Sequence, residues 1–237
     1  MRRIGILGGM GPLATDFFLR LLLRDICATL QPTRDQHFPD MTILMESSMP
    51  DRSAKIKGGN RLAAQRINRL IAELAENGCN PIVIPCVTAH SLVEPKWFDS
   101  AVLDIRDCIV KHTAGRGPAC VGILATDGSI RSGVFAPLAD KFDLVFPDRS
   151  AQEKVMSVVY RKDGLKSFST DVRTCREGLE EVMAHLRASG AECIVPGCTE
   201  IEMFLTNQQV AGDYLLPMGN MSREIVRMLQ AEADTGI

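Results

Sequence analysis

Two cysteines of this chain stand in settings that could move protons. One segment reads Gly78-Cys79-Asn80-Pro81-Ile82-Val83-Ile84-Pro85-Cys86-Val87-Thr88, and another reads Gly190-Ala191-Glu192-Cys193-Ile194-Val195-Pro196-Gly197-Cys198-Thr199. In both, a glycine is followed eight residues later by a cysteine (86 − 78 and 198 − 190), and the intervening run is apolar. Cys86 and Cys198 thus close two matching strands, 112 residues apart (198 − 86). A thiolate can take a proton from carbon and a thiol can return one. Racemisation needs both acts, on opposite faces of one α-carbon. The unperturbed thiol pKa of about 8.5 shifts readily beside cations, dipoles or a helix N-terminus. Cys79 and Cys193 begin their strands and read as buried small hydrophobes.

The elements that must position these cysteines repeat. Helical spacing from Asn60 to Glu76 ends at Gly78, and helical spacing from Thr174 to Ser189 ends at Gly190, each glycine at a C-cap. Upstream, Ile4-Gly5-Ile6-Leu7-Gly8 resembles Val121-Gly122-Ile123-Leu124-Ala125, offset by 117 (122 − 5). Strand character is also read at 41–45, 101–105, 143–146 and 214–217. Strands alternating with helices imply βαβ units and a mostly parallel sheet. The fold class is α/β: two similar Rossmann-like domains related by a pseudo-two-fold axis, with the site in the cleft between them. The first domain is expected over residues 1–97 with 211–237, and the second over 98–210. A final helix from Met221 to Ala231 returns to the first. Ligands of open α/β sheets bind beyond the carboxyl ends of the strands, where both cysteines lie.

Composition narrows the function. The 237 residues are 46% hydrophobic and 24% charged with a net charge of −2, so no broad basic field serves nucleic acid or a membrane surface. Aromatics at 5% supply few stacking platforms. No apolar run approaches a membrane span and no secretory leader is visible, so a cytoplasmic location and reduced thiols are expected. The eight cysteines include no CxxC pair, which argues against a structural zinc site. Cys86, His90 and Cys198 lack an evident fourth metal ligand. His90 is read as bracing its turn, or as a base for Cys86. The turn Gly8-Gly9-Met10-Gly11 is not GxGxxG, and the next acidic residue at a strand end, Glu46, comes 38 residues after Gly8 (46 − 8), which disfavours dinucleotide binding.

Six motifs in order carry a family resemblance. Ile4-Gly5-Ile6-Leu7-Gly8-Gly9-Met10-Gly11-Pro12, Pro50-Asp51-Arg52, Pro85-Cys86-Val87-Thr88-Ala89-His90, Gly122-Ile123-Leu124-Ala125-Thr126, Gly164-Leu165-Lys166 and Gly197-Cys198-Thr199-Glu200 resemble the aspartate racemase branch of the aspartate/glutamate racemase superfamily. The resemblance implies a homodimeric isomerase, a racemase or epimerase of an acidic amino acid (aspartate, glutamate or a close analogue), without pyridoxal phosphate or metal, with Cys86 and Cys198 as the acid/base pair. It implies that Arg52 and Lys166 hold substrate carboxylates, in keeping with bidentate guanidinium and point-charge ammonium chemistry. Met10, Val87, Thr88, Thr126, Thr199 and Glu200 complete the substrate-binding set it implies. The turn at Gly8–Gly11 and the three threonine hydroxyls are expected to contact the substrate's anionic groups and amine. Two residues depart from the pattern: Val87 replaces the usual Asn after the first cysteine, and Asn220 the usual Asp near the last strand. The alternatives are a hydantoin racemase, maleate isomerase or decarboxylase of the same superfamily, or a two-lobed protein that binds a small acid without turning it over.

Overall fold

The structure, a computed structural model, describes residues 2–51, 59–113 and 117–235. The first half runs β1 (Arg3–Gly8), α1 (Pro12–Leu30), β2 (Met41–Met45), α2 (Gly59–Glu76) and β3 (Cys79–Val83), then a 3-10 helix at Val87–Leu92 and α3 (Pro95–Phe98). After α4 (Ile105–Lys111) the second half runs β4 (Cys120–Leu124), α5 (Asp127–Arg131), β5 (Asp143–Val145), α6 (Arg149–Tyr160), α7 (Val172–Ala188), β6 (Cys193–Pro196) and α8 (Thr199–Asn207), and α9 (Pro217–Thr235) closes the chain.

The repeat read from the sequence is a repeat of topology. Both sheets are parallel, three-stranded and built around their first strand, β2-β1-β3 and β5-β4-β6. The helices before β3 and β6 end as expected, with Gly78 and Gly190 at positive φ (75° and 102°). Side chains along β1 and β4 alternate between two cores, as strand geometry requires. Ile4 and Ile6 face a shared layer that also takes Val121, Ile123 and Val195, together with Phe18, Ile109 and Ile225 from α1, α4 and α9. Leu7 and Leu124 face the opposite way, into separate cores under α2 and α7. On that outer face Gly5 and Gly122 let neighbours approach: a Cβ would lie 2.9 Å from the Cys79 Cβ and 3.0 Å from the Ala191 Cβ, respectively. One apolar layer thus binds the two halves to each other, and α9 packs back on α1 and α4.

Two expected strands are shorter than the sequence implied. Residues 101–105 and 214–217 contribute only single parallel bridges, Val102 to Ile82 and Tyr214 to Ile194. Helices claim the residues that follow. Asp104 accepts the Arg106 N–H at 2.8 Å and caps α4, and Pro217 occupies the first turn of α9. The last helix accordingly begins at Pro217, ahead of the expected Met221. No helix among the described residues is long and apolar enough to cross a membrane.

The start of α9 is tied to α8 by a buried carboxylate. Glu202 accepts the N–H of Met218 at 2.8 Å and of Gly219 at 2.9 Å, two amides with no partner inside their own helix. Burial raises its pKa to about 7, against the opposing pull of both amides and Arg223. Glu202→Ala should cost about 2–3 kcal/mol at pH 5, read by urea unfolding, because two buried donors lose their acceptor. The folded value lies above the ordinary 4.5, so the native state binds the proton more tightly. That contribution is complete below pH 4.5 and is lost as pH rises through about 7, so the gap between the two proteins should narrow toward pH 8.

Candidate active site

Both cysteines occupy the caps that follow equivalent strands. Cys86 has extended backbone and precedes the 3-10 turn Val87–Leu92; Cys198 has extended backbone and precedes α8. Both are buried, and both line one cavity of about 310 Å³ that opens to solvent. Met10, Val87, Thr88, Thr126, Lys166, Thr199 and Glu200 line it too, so every described residue of the expected site converges there. Arg52, the expected carboxylate clamp, lies outside the described residues, but its neighbour Asp51 is in the wall.

The surroundings of Cys198 are charged and buried. Its thiol donates to Glu200 Oε2 at 3.1 Å. The Thr199 hydroxyl donates to the same oxygen at 3.2 Å, and Lys166 Nζ donates to Oε1 at 2.8 Å. Burial pushes the Cys198 thiol well above its ordinary value, and the Glu200 charge adds to that push while Lys166 opposes it. Burial disfavours the Glu200 carboxylate, yet Lys166 holds its pKa below the usual range. Burial likewise disfavours the Lys166 ammonium, and the Glu200 carboxylate overrides it, raising Lys166 above its ordinary value. Lys166 also stands 5.5 Å from the centre of the Tyr160 ring.

Several groups expected to meet a ligand are engaged inside the protein. Lys166 was read as a cation for substrate and is ion-paired with Glu200. The Thr88 hydroxyl lies 2.6 Å from Ser129 Oγ, and Thr126 shares that partner at 3.3 Å. In the glycine turn, the Gly9 N–H donates to Thr15 Oγ1 at 3.0 Å, which removes that amide from the expected anion cradle. Val87 is buried in the layer between the halves and adds an apolar patch to the cavity wall.

His90 braces its turn. Its Nδ1 lies 3.1 Å from the Cys86 carbonyl oxygen, which can only accept, so Nδ1 carries the hydrogen. Burial lowers its pKa and keeps the ring neutral, and the ring stacks on Phe98. Among the described residues no cluster of three His, Cys, Asp or Glu side chains could hold a metal.

The cavity has three further lining residues that sequence reasoning did not select: Asp51, Tyr160 and Gly197. Asp51 and Gly197 sit inside motifs already singled out. Tyr160 ends α6, an amphipathic helix whose sequence carries no local mark of a site.

The profile of the Asp/Glu/hydantoin racemase family matches residues 7–214. A glutamate racemase of Corynebacterium glutamicum is 25% identical over 172 residues, 69% of this chain, and the match spans only 61% of that protein. The fold is similar to that of Picrophilus torridus aspartate racemase, with TM-score 0.75 and 22% identity over 97% of this chain and 95% of that one. It is also similar to a glutamate racemase from Francisella tularensis solved with D-glutamate, with TM-score 0.66 and 15% identity over 98% and 82%. With the profile covering most of its length and cysteines just beyond two equivalent strands lining one cavity, the chain belongs to the Asp/Glu/hydantoin racemase family.

Proposed function

We propose that this protein is a cofactor-independent racemase or epimerase of an acidic amino acid, aspartate or a close analogue such as glutamate, working by two-base proton transfer between Cys86 and Cys198. The observation that carries this reading is that both cysteines, from matching positions of the two halves, line the same cavity. One thiolate removes the α-proton, and the electron pair passes into the adjoining carboxylate. The thiol on the other side delivers a proton to the opposite face, which inverts the centre. Lys166 supplies positive charge in the cavity wall, where charge on the α-carboxylate grows. Arg52 is proposed as the main carboxylate ligand, and Asp51 as a partner for the substrate amine. Val87 offers no hydrogen bond, so recognition falls on these groups.

Single enantiomers of aspartate, glutamate and close analogues should be incubated with the protein in D₂O. Deuterium is expected at the α-carbon of the product enantiomer by NMR and chiral chromatography. No α-exchange with any acidic amino acid would sink the proposal.

A further inference from the structure

The internal repeat makes the two cysteines comparable position by position, and their surroundings differ. Two residues after Cys198 stands Glu200; two residues after Cys86 stands Thr88. Thr88 lies against the Ser129 hydroxyl, whereas Glu200 reaches back to the Cys198 sulfur itself. The second half therefore places a buried anion on its reacting atom at a point where the first half has a neutral hydroxyl. Glu200 is not a free ligand for substrate, since Lys166 fixes one oxygen while Cys198 and Thr199 share the other.

We propose that Glu200 is a catalytic residue that holds the proton on Cys198, so that the resting enzyme carries Cys198 as its acid and the two directions of turnover start from unequal protonation states. This rests on the two-cysteine reading above. A thiolate at position 198 faces the Glu200 carboxylate at hydrogen-bond distance, and Lys166 is already engaged by the other oxygen of that carboxylate. Among the described residues, the other ionisable groups in the wall are Asp51, Cys86 and Tyr160, and none of them adds a cation. The resting state therefore keeps the proton on sulfur. In one direction the Cys86 thiolate takes the α-proton, and Cys198 gives its proton to the opposite face and becomes the thiolate. Solvent then returns a proton to Cys198 and removes one from Cys86. A second opening, lined by Gly11, Pro12, Leu13, Ala14 and Leu165, reaches Lys166 and Glu200. The ion pair thus forms part of the walls of two cavities.

Equal stabilities of two enantiomers force equal kcat/KM in both directions. The asymmetry must therefore appear as kcat and KM values that differ together between enantiomers.

The test reads the thiol directly. Iodoacetamide labelling of Cys198 in the native protein is followed by peptide mass spectrometry from pH 6 to 10, with the urea-unfolded chain as reference. The native midpoint is expected above the unfolded one. In Glu200→Gln, which keeps the shape and removes the charge, the native midpoint should fall by about one unit or more. The alkaline limb of kcat/KM should move down with it, because Cys198 is then lost as an acid at lower pH. A native midpoint at or below the unfolded one overturns the proposal in the wild-type protein alone, even if the variant fails to fold. An unmoved midpoint or an unmoved alkaline limb in a folded Glu200→Gln protein overturns it as well. A raised native midpoint without α-exchange on any acid overturns the racemase reading and the catalytic role with it, while a normal midpoint with exchange overturns only the role of Glu200.

Discussion

Cys86→Ser and Cys198→Ser should each lower racemisation by roughly a thousandfold or more in both directions, at the upper part of the range for a lost general acid or base. A serine hydroxyl is of similar shape but far less acidic than a thiol, so it neither ionises at neutral pH nor gives up its proton as readily. Conversion needs one group on each face, so losing either cysteine stops both directions. A remaining thiol could still exchange the α-hydrogen of one enantiomer slowly on its own face. The two variants should therefore differ in which enantiomer keeps this residual exchange. Chiral chromatography reads conversion and NMR in D₂O reads exchange. If either variant retains more than about a tenth of wild-type conversion, the two cysteines do not form the acid/base pair. The remaining six cysteines serve as a control, because alanine at the buried Cys108 should leave conversion within about twofold. Its thiol is pushed up to about 12 by burial, with the Glu224 charge adding to it, so it carries no thiolate at working pH.

Gly9→Ala should destabilise the protein by about 3 kcal/mol or more. Gly9 has φ of 88°, a conformation that strains any residue with a Cβ. An added Cβ would also lie 2.5 Å from the backbone N and carbonyl carbon of Glu46. Those atoms cannot retreat cheaply, since the Glu46 N–H is bound to the Gly8 carbonyl at 3.1 Å where β1 and β2 end. Strain and collision therefore add. Gly78 is the internal comparison: its φ is 75°, but nothing stands within 4 Å of its missing Cβ. Gly78→Ala should cost only about 1 kcal/mol, the conformational part alone. Urea unfolding of the two variants separates the effects, and equal losses would show that contact with Glu46 contributes nothing. Gly9 adjoins Met10 in the cavity wall, so this close approach also sets one side of the site.

Much of the molecule was legible in the residues alone. β4 and β6 lie where the apolar runs placed them, because a strand's pattern is local. The helices ending before Gly78 and Gly190 were equally plain, since an apolar stripe and a C-cap glycine leave their mark within one segment. Cys86 and Cys198 stood out from eight cysteines because the repeat set both at strand ends, and a strand end in a parallel α/β sheet is where a cleft opens.

Folding alone decided what depends on distant segments meeting. Lys166 and Glu200 are 34 residues apart, and their pairing changed the lysine from an expected free clamp into one half of a partly buried ion pair. Glu202 was unremarkable on its amphipathic helix until α9 brought two bare amides to it. Residues 101–105 and 214–217 have strand composition, but capping at Asp104 and Pro217 gave the next residues to helices. The sequence by itself determined the repeat, the two kinds of element and the two thiols at their ends, all of which rest on periodicity and spacing along the chain. Tertiary structure decided the company Cys198 keeps, because only through-space contact puts a buried carboxylate and its lysine against that thiol.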